Sequence, residues 1–536
     1  MRPLLAVLSI AVLAATASAQ PAPPATVPGE ALFVVSGRGW GHGVGMSQYG
    51  AYGQALAGRG YDQILAHYYS GTELGPARTK EVRVLLAEGR RAVTISSTVP
   101  FTAIDAAGQT YRLPKGPLAL RADLAFRTEE GAVAPVSPVV IRPGKKVPLA
   151  LDGRLYRGKL EIAVQADFLR VVNVVALESY LDGVVAGEVP HTWPLETLKA
   201  QAVAARSYAL ASLVKGKAFD LYSDVRSQVY LGVAGETART SEAVDATAGE
   251  VVFYGGRVAT TYYFSTSGGK TASAADVFGF SVPYLISRPD PWDKLSPYHR
   301  WGPVLLGART VQAKLRIEPR VVDATGIVTP SGRLRTVVLS TTAGSQSVPS
   351  SLIRTALGLR STWISVGVLR LDRASGVVVF GSAVRLSGIA RGLPSPTLAS
   401  SSDGAAWSTA GQLVREASGA VALDIKPVRT TRYRIEVEGA ASPALLVQVA
   451  PRLQLGRPSE LEPSVLTGTV RPKLPGATVA IERRNGSAWV PVGEAEVDGV
   501  GAFRLELTLV SGSYRARIPA TGGLVAGTSP VLQVTG

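Results

Sequence analysis

Hydrophobic and polar residues alternate in short runs over most of this 536-residue chain, and only a few windows show the longer spacing of a helix. Residues 31–40 read as a strand that ends in a glycine-rich stretch, Gly37 to Met46, where the backbone can curve closely around a partner. From Ser47 to Tyr69 the pattern turns helical, with Ile64, Leu65 and Tyr68 on one face before Gly71 stops it. Between Glu81 and Val175, segments such as Val82-Arg83-Val84-Leu85-Leu86 are punctuated by Gly and Pro and predict β structure. Two helices follow, then more strands from Val251 to about Val368.

The C-terminal part repeats itself. Trp407 and Trp489 are 82 residues apart, each preceded by a turn dipeptide (Asp403-Gly404, Asn485-Gly486), and Tyr433-Arg434 and Tyr514-Arg515 are 81 apart. Short strands with frequent turn signals fill both units, which predicts two tandem β-sandwich modules at 373–452 and 453–536. They carry no obvious chemistry and would bind, space or position the rest, or act only structurally. The expected fold class is α+β: a mainly β catalytic domain over 31–370 carrying a helical pair, followed by the two sandwiches.

The helical pair holds the most informative residues. Leu177, Leu181 and Val184 mark an apolar face, and Glu188, eleven residues after Leu177, returns to it within about 20° of ideal helical geometry. Glu178 and Asp182 point elsewhere, and Pro190 disfavours continuation, leaving Glu188 in the last turn. Burial and the negative end of the helix dipole both raise a carboxyl pKa. A carboxyl kept protonated near neutral pH suits the general acid that a glycosidic leaving oxygen needs. The alternative is a Glu that caps an amide or pairs with an arginine. The next helix starts at Pro194, runs to about Val214, and turns Leu195, Leu198, Ala202, Ala205 and Ala209 inward together with Arg206. An inward arginine needs an acceptor. A bridge to Glu188 would lower the carboxyl pKa, so Arg206 is expected to hold substrate or the Tyr222–Tyr230 segment, with a structural ion pair as the other reading.

Composition narrows the setting. Arg2, the apolar run Leu4 to Ala15 and Ala17-Ser18-Ala19 have the form of a signal peptide over residues 1–19, with 20–30 as a linker. No later segment approaches the roughly 20 apolar residues a bilayer needs, so the mature chain is expected to have no membrane span. An uncleaved N-terminal anchor is the other reading. The chain has no cysteine, which removes thiolate nucleophiles and cysteine–zinc sites. Its net charge of +16 suits an anionic partner, for an exported protein a polyanionic envelope rather than nucleic acid; simple solubility is the other reading, since the basic residues are scattered. The four histidines, His42, His67, His191 and His299, have no metal-ligand spacing; no metal and no cofactor are expected.

Several motifs together resemble one family. Gly187-Glu188-Val189-Pro190, Lys199 to Tyr208, Ser227-Gln228-Val229-Tyr230, Phe264 to Thr271 (with Ser265, Ser267, Gly268, Gly269 and Lys270) and Pro291-Trp292-Asp293 resemble the stage II sporulation protein D (SpoIID) family. Gly41 to Ala51, containing His42, Ser47 and Gln48, resembles that family's other signature. The likeness covers about 31–368. It implies a lytic transglycosylase acting on peptidoglycan glycan strands, with Glu188 at the catalytic glutamate. The alternative it implies is a non-catalytic wall-binding protein that enhances a cell-wall amidase. Either would work outside the cytoplasm, in the cell envelope or periplasm. Two departures stand out. Where some members carry a zinc-binding Cys, His, Cys set, this chain has Tyr222, Arg226 and Ser227; and the His42 signature, which often closes the domain, opens it here.

Two other motif readings are weak. Phe264 to Thr271 lacks the first glycine of a phosphate loop, and Ser267-Gly268-Gly269-Lys270 fits a serine–x–x–lysine nucleophile without its companion elements. The loop is expected instead to present amides and hydroxyls to sugar. The contact set is then Arg206, Gln228, Tyr230, Ser265, Ser267, Gly268, Gly269, Lys270, His42, Ser47 and Gln48. His42 and the loop to Ser47 are expected to fold back beside the Glu188 helix as one wall of a groove, the helix after Ser47 adding free amides. A tight structural turn is the competing expectation.

Overall fold

A computed structural model describes residues 27–535 apart from 129, 215 and 373–375, so the expected signal segment at 1–19 and most of the linker at 20–30 lie outside the described residues. The described chain is a mixed α/β structure, mostly strands in many small sheets, with eight α-helices. No helix among the described residues is long and apolar enough to cross a membrane.

The first strand, Leu32–Gly37, lies between Trp301–Gly307 and Ile364–Leu371. The helical stretch expected over 47–69 is two helices, α1 (Gln48–Leu56) and α2 (Tyr61–Tyr68). Gly58, at φ +82°, breaks them, because that backbone conformation cannot continue a right-handed helix.

The β-rich segment after Glu81 forms a seven-stranded sheet in which Glu81–Arg90 pairs antiparallel with Phe168–Ala176, Val82 opposite Val175. Alternation turns Val82 and Val84 inward, onto a core shared with Leu177, Leu181, Val184 and Leu198. Strand Phe168–Ala176 passes without a loop into α3 (Leu177–Glu188), and a short connection leads to α4 (Leu195–Ala211).

Helix α4 is buried all round. Leu198, Ala202, Ala205 and Ala209 face the sheet core, while Ala200, Val203 and Ala204 face a second core made with α1, α2 and residues 252–285. Its many alanines let both layers approach closely. Gly183 of α3 is dictated in the same way: a Cβ there would lie 2.6 Å from the Tyr230 ring. Downstream, α5 (Ala238–Ala246) packs on α3 and α4, and the region expected to be only strands from Val251 to Val368 also carries short helices at Ala274–Phe278, Ala308–Leu315 and Ser350–Leu357.

The repeat read from Trp407 and Trp489 has a structural counterpart. Ser408–Gln412, Thr397–Ser401 and Thr431–Val437 pair in that order, with Ala440–Ala441 and Leu445–Val447 on the far edge. Ala488–Glu496, Thr478–Asn485 and Gly512–Ile518 repeat the order, with Gly527–Thr528 and Leu532–Val534 on the edge. In each unit an arginine lies over the tryptophan, Arg434 3.8 Å from the Trp407 centroid and Arg515 4.3 Å from that of Trp489. Hydrogen bonding runs across the expected boundary at 370–373, because Ile364–Leu371 pairs both with the first strand and with Val384–Arg391.

Candidate active site

Glu188 ends α3, half-buried, and hydrogen-bonds the hydroxyl of Tyr263. Burial holds its carboxyl above the usual range, partly offset by that bond. No other ionisable group shifts it. The partner hydroxyl is itself aimed. Tyr180 donates to Gln228 Oε1 at 3.0 Å, and Gln228 Nε2 donates to the Tyr263 oxygen at 2.9 Å and to the Ala205 carbonyl at 3.3 Å. Since the Tyr263 oxygen accepts from Gln228, its own proton is free to point at Glu188. Burial and the charge of Glu188 push the Tyr263 phenol well above its ordinary pKa, so it remains a donor.

Tyr263→Phe removes a donor that stabilises the ionised carboxylate, so it is expected to raise the Glu188 pKa further. A carboxyl NMR titration of Glu188 in both proteins checks the sign; an unchanged or lower value would rule the bond out as a determinant.

The N-terminal signature lies against the Tyr263 segment. Met46–Ser47 pairs parallel with Tyr263–Phe264, and Trp40 exchanges backbone hydrogen bonds with Thr266 at 2.8 and 3.0 Å. Gly45, at φ +81°, is required there, since a Cβ would sit 1.9 Å from the Tyr262 carbonyl.

Asp293 binds these pieces together from a fully buried position. It accepts from Ser47 Oγ (3.0 Å), the amides of Ser267 and Gly268 (both 2.8 Å) and His299 Nδ1 (2.9 Å). Next to it, burial and the charge of Asp293 push Asp290 up to about 7, and Tyr68 donates to Asp290 at 3.0 Å.

Many of the expected substrate contacts are therefore turned inward. Arg206 is 0% exposed; it pairs with Glu178 at 2.5 Å and donates to the Glu250 carbonyl, so the expectation that it holds substrate is corrected to a structural ion pair. Glu178 can reach it because α5 packs against both α3 and α4, and the Gly249 amide also donates to Glu178 at 3.1 Å. Tyr230 is corrected likewise: it is buried, its hydroxyl donating to Asn173 at 2.9 Å. Gln228 positions Tyr263 from a buried site.

The expectation that the 264–271 loop presents free amides and hydroxyls is corrected at three residues. The amides of Ser267 and Gly268 go to Asp293, and that of Gly269 goes to Ser267 Oγ. The amides expected at the start of α1 are also used, Gly50 by Ser47 Oγ and Tyr49 by the Ser265 carbonyl. Ser47 is a buried helix cap, and Gln48 a buried partner of Gln201. His42 accepts from the Val44 amide at Nδ1, leaving Nε2 to donate to the Tyr263 carbonyl, both at 3.1 Å. Packed among Tyr262, Phe264 and Phe278, it is lowered by burial to about 4 and stays neutral. Both of its ring nitrogens are thus engaged within the chain. Ser265 and Lys270 remain half-buried, and Lys270 forms no ion pair among the described residues.

An aromatic cluster lies beyond Glu188 that the motif reading missed. Trp193, five residues on, stacks on Tyr52 at 4.8 Å and meets Tyr49 edge-on at 4.9 Å, all three half-exposed. The signal for it was an aromatic in the loop joining the two helices and two tyrosines in the N-terminal signature. Among the described residues no group of three or more His, Asp or Glu could hold a metal ion. Arg226 stacks on Tyr222 at 3.8 Å and pairs with Asp224 where relatives were expected to carry zinc ligands.

Comparison with known proteins agrees with the motifs. Residues 165–254, which include Glu188, Arg206, Gln228 and Tyr230, match the SpoIID family model, described as stage II sporulation protein. The chain is 41% identical over 138 residues to an uncharacterised protein of Brachyspira hyodysenteriae, covering 25% of this chain and 38% of that one. It is 32% identical over 210 residues to stage II sporulation protein D of Bacillus subtilis, covering 35% and 60%. With the amidase enhancer of the same organism it shares 38% over 148 residues, covering 27% and 20%. The matches thus span less than two thirds of each of these relatives.

Proposed function

We propose, taking the SpoIID likeness as premise, that the chain is an exported cell-wall enzyme, a lytic transglycosylase that cuts peptidoglycan glycan strands with Glu188 as its one acid–base group. The observation that carries this reading is a carboxyl raised by burial, hydrogen-bonded to one aimed phenol and free of any arginine. Protonated Glu188 gives its proton to the glycosidic oxygen as the bond from the muramic acid C1 breaks. The resulting carboxylate takes the proton of the same sugar's 6-hydroxyl as that oxygen bonds to C1. The products are a free 4-hydroxyl on the departing sugar and a 1,6-anhydro end, with Glu188 protonated again. The nucleophile is intramolecular, so one carboxyl suffices, whereas hydrolysis with water generally uses a pair.

Neither Asp224 nor Asp293 suits the second place of such a pair. Asp224 is held on the surface by Arg226, and every oxygen of Asp293 is used internally. Trp193, Tyr52 and Tyr49 supply aromatic faces for the apolar sides of sugar rings. Mass spectrometry of digested glycan tests the chemistry. Anhydro ends are expected, one water lighter than hydrolytic ends; products carrying the extra water would refute transglycosylation.

A second reading, a non-catalytic wall-binding protein that works through an amidase, is favoured by the similarity to the amidase enhancer. It predicts no glycan cleavage by the purified chain.

A further inference from the structure

A cleft of about 500 Å³ opens beside the N-terminal signature, between Arg38, Arg300, Trp301 and Trp363, with Ser36 and Ser365 at its rim. Its charge is unbalanced. Neither Arg38 nor Arg300 makes an ion pair among the described residues, although Arg38 lies 5.4 Å from the Trp363 ring centroid. Behind the same ring, 5.1 Å from its centroid, sits Arg333, almost fully buried. Arg333 donates only to the carbonyls of Ser267 and Lys270, and its Nε has no partner. Two guanidinium groups thus flank one indole and a third, that of Arg300, lines the same cleft, with no carboxylate hydrogen-bonded to any of them, although the charges of Asp293 and Asp276 act on Arg333. A buried or half-buried guanidinium normally acquires an anionic acceptor.

A chain of aromatic neighbours leads from Trp193, in the loop after the Glu188 helix, towards this cleft. Trp193 meets Tyr49, and Tyr49 is an electrostatic neighbour of Tyr298. Tyr298 packs edge-on against Trp40 at 4.6 Å, and its carbonyl accepts from the Gly39 amide at 2.9 Å. Trp40, 42% exposed, lies two residues from Arg38, as Tyr298 lies two residues from Arg300. The Trp301 Nε1 in turn donates to the Gly39 carbonyl at 2.8 Å. A polymer stacked on Trp193 and Tyr49 that continues over Tyr298 and Trp40 arrives between the two free arginines.

We propose that this cleft is a carboxylate-binding subsite, distal to Glu188, that holds an acidic substituent of the glycan strand; it rests on the glycan reading above. Planar guanidinium forks match carboxylates bidentately, and the flanking indoles take the apolar face of the sugar that bears the acid. The carboxylate can belong to the lactyl group of the strand or to a peptide attached to it.

The test uses the full chain carrying Glu188→Gln, which prevents turnover, and three oligomers of equal length: a neutral N-acetylglucosamine oligomer, a wall glycan with free lactyl groups, and one bearing peptides. Calorimetry is expected to show at least one acidic oligomer binding about tenfold tighter than the neutral one. Which acidic oligomer is preferred identifies the source of the carboxylate. Arg300→Gln and Arg38→Gln should each erase that preference and leave neutral-oligomer affinity unchanged. Arg300 is exposed and unpaired, so its variant keeps the test valid should loss of Arg38 disturb Trp363. Binding of all three oligomers with no preference, or a preference that survives both substitutions, overturns the subsite and leaves the glycan reading intact. Binding of none overturns both.

Discussion

Glu188→Gln is expected to lower glycan cleavage by about a thousandfold while leaving the protein as stable as before at acidic pH and more stable near neutrality. The rate effect follows from the loss of the proton donor in bond breaking and of the acceptor in ring closure, each step of a kind that a positioned acid or base accelerates by about 10²–10⁴. Glutamine keeps an oxygen to accept from Tyr263, so substrate affinity should hold, and kcat and kcat/KM should fall together.

The sign of the stability effect comes from linkage. The folded-state pKa of Glu188 is raised above its unfolded value by burial. Between those two values the folded chain binds more protons than the unfolded one, so stability falls as pH rises through that window. An uncharged glutamine does not incur this loss, and above the window its variant should melt higher than the parent. Thermal melts at several pH values together with a glycan-release assay read both quantities. Equal melting throughout would refute a raised carboxyl. Undiminished activity in an assay supplied with a cell-wall amidase would favour the enhancer reading.

The placement of Glu188 on the inward side of α3 was legible because helical period alone fixes which residues share a face: Leu177, Leu181 and Val184 are buried, and Glu188 on the same side is half-buried. The same argument placed Arg206 inward but could not name its acceptor. Periodicity assigns one buried face to a helix, whereas α3 and α4 are covered on several sides, which gives Glu178 a buried partner. The glycine-rich loops were read as open to ligand because free amides are what such sequences offer; that Asp293 takes them depends on a contact across 25 and 26 residues, and no local pattern encodes it. Tyr263 and Trp193 were missed for a related reason: an aromatic in a loop has no period, and its partners come from elsewhere in the chain. The repeat near the C terminus was visible because the tryptophan and arginine recur at nearly equal spacings of 82 and 81 residues, although the strand Ile364–Leu371 that couples it to the first strand carries no mark of which sheet it joins.

Asp293→Ala is expected to destabilise the N-terminal part by about 3–5 kcal/mol, the usual cost of breaking a buried charged network by removing one member. Four donors lose their acceptor: the Ser47 hydroxyl, the amides of Ser267 and Gly268, and His299 Nδ1. The two amides belong to buried residues, and each unsatisfied buried donor costs about 1–3 kcal/mol. The loss also has a direction through the fold. Ser47 caps α1 and precedes Tyr49, while Ser267 continues the segment from Tyr263, so one carboxylate sets the aromatic cluster and the partner of Glu188 at once. Hydrogen exchange should therefore quicken at Ser267, Gly268 and Gly50, and glycan cleavage should fall with it, while protection in the strands at 478–485 and 512–518 stays as in the parent. Asp293→Asn, which keeps one acceptor oxygen, should lie between the two. A variant that melts with the parent and exchanges at the parent rate would show that the loops hold their form without the buried carboxylate.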